Sequence, residues 1–567
     1  MKRKEVKKQN IYQLLLAIII IVLINYVSSF KFFRIDLTSE KRYTISESTK
    51  ELLKNLEDVI FIQIYLDGDL PYGFKRLQKA SKEIIDEFRI YAGNNIEYEF
   101  FNPAESSDKK TRNEIFRQLY EKGLEPTNLQ VKEKDGAQSQ KIIFPGAILN
   151  YRNKEIALNL LVNNYGKTSE TNLNSSIQGL EYEFINAIRK IILKKIKKIA
   201  FIEGHGELNE NEVADIAYTL SEFYSIHRVK INGQLNSLNN FPLIIIAKPD
   251  STFNEKDKYV IDQYLMNGGK IIWFIDMVKT NMDSLAYSNT TIAFLEQLNL
   301  EDQLFQYGVR INPNLIQDLQ CAVIPIKTGM IGPNPKFSPA PWLYFPLIAP
   351  SNSNPVTKNM NLIKSEFVSV IDTVGENKNV KKTILLNSSK YSRVVKAPLR
   401  ISLDMVNNLP DEKYFNRSYQ PIAVLLEGKF ESVFKNRLTN EIISNNEINY
   451  KDTSVNTKMI VVSDGDIIKN KVKYRGENVI PYPLGYDRYT KQTFGNKEFV
   501  VNSINYLFDD NGLMNTRSKE FKLRLLDKTK INNEKLRWQL INTLVPVIFI
   551  IIFGVFWNII RKRKYNL

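Results

Sequence analysis

The sequence predicts an α/β protein with a transmembrane helix at each terminus. These flank a large extracytoplasmic body, made of a small thioredoxin-like α/β domain and a larger doubly wound domain built on a parallel sheet. Three observations predict this. Two charge-free apolar runs occupy residues 11–30 and 539–560. Between them, short apolar strands alternate with amphipathic helices, first over 59–101 and again over 199–276. The chain has 567 residues, and domains run to roughly 100–200 residues, so more than one folded unit is expected.

The elements follow in order. Residues 1–10 form a basic tail. Residues 11–30 read IYQLLLAIIIIVLINYVSSF, and about 20 helical residues cross the hydrocarbon core of a bilayer. A basic start and the small residues Ser28 and Ser29 also fit a cleavable signal peptide, but the apolar stretch is long for one, which favours an uncleaved anchor. The small domain covers 31–165. Ser46 caps a helix over 47–55, followed by a strand at 59–66, a helix at 74–91 and a second strand at 96–101. That β-helix-β order implies parallel strands joined by a right-handed crossover. A helix at 112–121 and a hairpin over 141–161 complete the unit. No cysteine lies in it, which excludes thioredoxin-type redox chemistry.

Residues 166–198 contain a long amphipathic helix, expected as a linker. The large domain covers 199–515 with insertions. Its strands are expected at 199–203, 225–231, 241–248, 270–276, 383–386, 422–426 and 458–463, with helices at 211–223, 255–266 and 499–508. The proline-rich stretch Pro333–Pro350 predicts long loops. A juxtamembrane segment, 516–538, leads into the second apolar run, QLINTLVPVIFIIIFGVFWNII. Trp538 and Trp557 stand near its ends, where interfacial aromatics collect, and Pro546 lies inside it. Residues 561–567 form a second basic tail.

The net charge is +16, and the two tails supply +8 of it. Basic residues beside apolar runs act as topology signals and lipid contacts. A nucleic-acid protein concentrates them on a recognition face, so nucleic acid is not expected as a partner. Both tails should be cytoplasmic and residues 31–538 outside. Lys528, Lys530, Lys535 and Arg537 on the outer side run against this, but long domains translocate largely regardless of charge.

One cysteine and two histidines leave no intramolecular disulfide and argue against a zinc or histidine metal site. There is no GxxxxGK[ST] loop, so the chain does not hydrolyse ATP by that route. No cofactor is expected.

The candidate ligand site is Gly204-His205-Gly206-Glu207, at a strand–helix junction. Open α/β sheets bind ligands at the carboxyl ends of their strands, and a histidine with a carboxylate can do acid–base work. In the plainer alternative, two glycines permit a tight turn while His205 and Glu207 cap the next helix or contact another domain. Cys321 with His205 as base is a weaker candidate, because its neighbours in QCAVIPI suggest an ordinary buried thiol and no strand–Cys–helix elbow surrounds it. His227 lies in an alternating strand and reads as structural. Asp464-Gly465-Asp466 reads as a turn rather than a metal site.

Several segments resemble a known family: LTSEKRYTIS at 37–46, FPGA at 144–147, IEGHGE at 202–207, NGGKIIWFID at 267–276, SDGD at 463–466, FGNKEFVVNSINYL at 494–507 and RSKEFKLRLLD at 517–527. Together they look like GldG, the gliding-motility-associated auxiliary (substrate-binding) subunit family of ABC transporters. The resemblance implies a non-enzymatic inner-membrane subunit that works with a multi-span permease and an ATPase subunit. It also implies a glutamine-amidotransferase-like central fold. No cysteine stands at the strand–helix elbow here, which counts against amidotransferase activity. The rival expectations are an extracytoplasmic hydrolase using His205 and Glu207, and a structural cell-envelope scaffold.

Overall fold

The computed structural model describes residues 3–30, 44–132, 138–164, 166–193, 196–280, 282–351, 353–375, 378–407, 409–445, 448–476, 478–518 and 528–565. Most of the LTSEKRYTIS segment and residues 519–527 of the juxtamembrane segment lie outside them.

The chain is mixed α/β and divides into a terminal unit, Met1–Arg42 with Glu520–Leu567, and a body, Tyr43–Lys519. In the terminal unit, α1 spans Arg3–Phe30, and its apolar stretch is Lys8–Leu23. Among the described residues, one helix is long and apolar enough to cross a bilayer: Asn533–Arg563, with a mean hydropathy of 2.5 over its apolar 18-residue stretch. Its apolar side chains are exposed all round, as a helix made for lipid requires.

The body opens with α2 (Glu47–Lys54), whose cap is Ser46, accepting from the Thr49 amide. Next come β1 (Ile60–Ile64), α3 (Tyr72–Ala92) and β2 (Ile96–Phe100), with β1 and β2 parallel as the crossover demands. Then follow α4 (Lys109–Glu121), β3 (Thr127–Lys132), β4 (Gln138–Ile143), β5 (Gly146–Tyr151) and β6 (Lys154–Asn159). The sheet order is β2-β1-β5-β6. The hairpin expected over 141–161 is β5–β6 alone, while β4 pairs with β3 in a separate ribbon.

The helix expected as a linker is α5 (Ser169–Ile192). It is no mere connection: Leu180, Phe184, Ile185 and Ile188 share one core with Ile60, Ile62, Leu77 and Phe88. Its polar start and basic end masked an apolar face that the small sheet needs to cover itself.

The large sheet is built from β7 (Lys197–Glu203), β8 (Tyr224–Lys230), β9 (Leu243–Ala247) and β10 (Lys270–Phe274). Between them lie α6 (Ala214–Ser221) and α7 (Glu255–Met266). α8 (Glu301–Tyr307) follows, then a ribbon of β11 (Cys321–Ile331) and β12 (Asn334–Ile348). β13 (Val380–Asn387), β14 (Pro421–Gly428), β15 (Thr457–Val462) and α9 (Asn496–Leu507) complete the body, and α10 (Lys528–Tyr565) carries the apolar span.

The sheet order is β13-β14-β15-β10-β9-β7-β8. The strands from β8 through β15 are parallel, but β14 is antiparallel to both its neighbours, β15 and β13, so the sheet is not wholly parallel as expected. One face is covered by α6 and α9, through Ile216, Leu220, Phe499 and Ile504, and the other by α7 and α8, through Ile261, Leu265, Leu304 and Tyr307. Helices on both faces explain why β9 is buried at every position and reads as a continuous apolar run.

The stretch Pro333–Pro350 is strand for most of its length, not loop. Pro335, Pro339 and Pro341 fall at alternate positions, so their missing donors lie on one edge of the strand. Over that part β12 pairs with β11 alone, and a strand with one open edge tolerates missing donors there.

Candidate functional site

β7 leads to β8 on one side and β9 lies on the other, so the order of strands reverses between β7 and β9. Ligands of open α/β sheets bind at such a switch point, outside the carboxyl ends of the strands. Gly204-His205-Gly206-Glu207 sits there, immediately after β7.

Gly204 and Gly206 have φ of +122° and +73°, values that L side chains rarely adopt. A Cβ on Gly206 would fall 1.6 Å from Asp250 Oδ1. The carbonyl of His205 accepts the amides of Asp250 and Ser251, both at 3.0 Å, which ties this corner to the loop after β9. Arg228 of β8 bonds Glu203 and donates to the Leu208 carbonyl at 2.7 Å.

The His205 side chain turns inward and is 4% exposed. Its Nδ1 lies 3.2 Å from Glu207 Oε1 and its Nε2 lies 3.1 Å from Asp257 Oδ2. Its ring stacks on Phe253, with centroids 3.7 Å apart and planes 11° apart. Asp257 lies in the first turn of α7, where a helix favours negative charge. It accepts from the Gly233 amide at 2.7 Å and from Asn254 Nδ2 at 2.8 Å. Glu207 Oε2 accepts the His205 amide at 2.7 Å. Burial opposes charge on the imidazole, but the flanking carboxylates of Glu207 and Asp257 outweigh it and raise its pKa above the ordinary value. Both ring nitrogens face carboxylate oxygens, so neither is free to take a proton from a further group, and the arrangement ties the turn after β7 to α7.

A second polar cluster lies at the carboxyl ends of the next strands. Lys248 follows β9, Asp276 follows β10, and Asp464 and Asp466 follow β15. The three carboxylates offer oxygens within 4.8 Å of one another. Lys248 Nζ supplies the cation, 3.0 Å from Asp276 and 2.5 Å from Asp466. Gly465 makes room, since a Cβ there would meet Lys248 Cγ at 2.4 Å. Asp464 accepts the amides of Asp466 and Glu366, at 2.7 and 2.9 Å. Burial and the neighbouring Asp276 and Asp466 charges push the Asp464 carboxyl well above the usual range. Burial works against ionisation of Asp466 too, but Lys248, Lys471 and Lys469 hold its pKa below the ordinary value. Asp464-Gly465-Asp466 is a turn, as the sequence suggested, with Asp464 capping a short 3-10 helix at Gly465–Ile468.

Cys321 opens β11 opposite Pro346, away from any strand–helix elbow. Burial, with the Asp318 charge, pushes its thiol up to about 11, so it stays protonated near neutrality. His227 is on β8, with Nε2 2.8 Å from Ser225 Oγ and its ring edge-on to Phe241. Sequence reasoning missed Asp257, Phe253, Lys248 and Asp276. Asp257 looked like ordinary helix-start chemistry, and the others like strand-end residues.

Comparison with known protein families gives the broad class. Residues 196–503 match the model of a family described as an ABC-type uncharacterized transport system, and residues 39–150 match a domain of unknown function. A protein of Borreliella burgdorferi, described only as uncharacterized, is 24% identical over 577 residues, covering 99% of each chain. Among solved structures, the N-terminal domain of mmIFT52 aligns with 56% of this chain and 99% of its own, at 12% identity and a TM-score of 0.32. A ThuA-like protein from Parabacteroides merdae aligns with 55% of this chain and 90% of its own, at 11% identity and a TM-score of 0.27. Scores that low carry no argument about fold or activity.

Proposed function

The chain belongs to this ABC-type transport family, and on that premise we propose that it is a non-enzymatic, membrane-anchored auxiliary subunit of an ABC transporter of the GldG kind. It works beside a multi-span permease and an ATPase subunit, in a system of the gliding-motility type. Two helices cross the inner membrane, at 11–30 and 539–560. Both basic tails are cytoplasmic and the body is periplasmic.

The observation that carries the non-enzymatic reading is the state of His205. The one histidine at the sheet's switch point has both ring nitrogens bonded to buried carboxylates. Lys248 is likewise held between the carboxylates of Asp276 and Asp466. The apolar span on α10 supports the membrane reading, since its exposed side chains require lipid or other membrane helices. The partner proteins follow from the family. The body's task is then to receive exported material or envelope proteins on its surface.

The test is purification of the full chain from its own membranes in mild detergent. Permease and ATPase subunits are expected to co-elute, and loss of residues 528–567 is expected to release them. Elution of the intact chain alone would sink the transporter reading. Topology is read separately, from single cysteines at Lys4, Lys109 and Lys564 in a Cys321→Ala background. A membrane-impermeant maleimide applied from the periplasmic side should label only position 109.

A further inference from the structure

The β11–β12 ribbon is held at its base and bare at its tip. Ala322, Ile324, Trp342, Tyr344 and Phe345 are buried in one core at the base. From Lys327 to Phe337, every described side chain is exposed, including Met330 and Phe337, both at 57%. The strands pair to the end, with Lys327 opposite Phe337 and Met330 opposite Pro335, so the tip is ordered ribbon. Five residues past the base extend it by about 17 Å. Two exposed large apolar side chains beside two lysines at the end of a rigid arm mark an interaction surface.

Its charge says what kind. From Leu319 to Ser365 the sequence contains no aspartate or glutamate. Of the four lysines in that stretch, Lys358 is buried and Lys364 pairs with Asp487 at 3.2 Å. Lys327 and Lys336 have no carboxylate partner among the described residues. The tip is therefore apolar and cationic, without a compensating anion. Pro335, Pro339 and Pro341 remove donors from one edge of the ribbon, which disfavours strand-to-strand pairing with a second copy. What remains is recognition through side chains by a surface that is anionic outside and apolar beneath. An anionic bilayer has that chemistry, and a chain with a bilayer-crossing helix always has one at hand.

We propose that the ribbon tip docks on anionic phospholipid, with Met330 and Phe337 entering the interfacial layer and Lys327 and Lys336 meeting headgroup phosphates. This needs the membrane anchor but not the transporter assignment.

The test uses the full chain with Met330→Cys in a Cys321→Ala background, labelled with an environment-sensitive dye. It is reconstituted into vesicles of phosphatidylcholine, with or without phosphatidylglycerol. Expected are a blue shift and quenching by brominated acyl chains in the anionic vesicles only. Lys327→Gln and Lys336→Gln should each weaken the response by about fivefold. A dye at Phe337→Cys repeats the reading from the other strand, should the first label disturb the turn. Water-like emission in both membranes overturns the proposal, as does an equal shift in both. A shift that appears only after permease and ATPase are added assigns the tip to a protein partner and overturns it too.

Discussion

Replacing His205 with alanine leaves Glu207 and Asp257 as buried carboxylates without the cation between them. Breaking a buried ion pair from one side costs about 3–5 kcal/mol. The lower part of that range applies, because the Asp257 carboxylate keeps its bonds from Gly233 and Asn254, and Glu207 keeps the bond from the residue 205 amide. Loss of the stacked ring on Phe253 adds about 0.5–1.5 kcal/mol. The expected destabilisation is therefore about 4 kcal/mol. Trp273 is a built-in reporter, since it is fully buried and its ring lies edge-on to Phe253 at 6.5 Å. Urea unfolding of the detergent-solubilised chain, followed by tryptophan fluorescence, measures the change. The pH dependence has a fixed sign. The pKa of His205 is raised in the folded state, so its contribution is complete below the unfolded value of about 6.5. It is lost as pH rises through the higher folded value. The gap between wild type and His205→Ala should thus narrow as pH rises above about 6.5. A loss under about 1 kcal/mol, or a gap that widens with pH, would falsify this reading of His205.

Three further outcomes test the same region and the anchor. Gly206→Ala places a methyl group on Asp250 at a φ of +73°; it should lower the unfolding free energy by about 1–3 kcal/mol, and Asp250→Ala should recover part of the loss in a double-variant cycle. Lys248→Met strips the cation from Asp276 and Asp466 and should cost about 3–5 kcal/mol by denaturant unfolding. Adding Asp276→Asn should return some of that, and an unchanged midpoint for the single variant counts against the cluster as a stabilising pair. A chain ending at residue 527 loses the apolar span, so carbonate extraction should release more of it from membranes than of the full chain.

Local signals made much of the body legible in the sequence. The helix expected at 255–266 is found with those bounds, because Asn254 caps it and glycines follow it. The strands at 243–247 and 270–274 announced themselves by unbroken apolar runs, which only a sheet covered on both faces needs. Reasoning failed where the deciding contact is distant in sequence. The reversed direction of β14 has no signature in its own residues. Proline counted against β12 because its position on an edge cannot be seen without the partner strand. The apolar face of α5 was hidden among polar residues.

The candidate site divides the same way. Gly204 and Gly206 were readable as a turn, and the two readings of His205 differed only in whether a ring nitrogen is free. That depended on Asp257, fifty-two positions away, which reached His205 only once α7 had packed on the sheet. A switch point normally leaves a crevice for a ligand. Here His205 lies between two carboxylates, and Lys248 between two more. The polar groups instead lock the strand ends to one another and to the loops around them. Rigidity at that point suits a body whose exposed elements meet other surfaces. Two exposed features among the described residues, the apolar helix near the C-terminus and the cationic ribbon tip, have the chemistry of contact with a membrane.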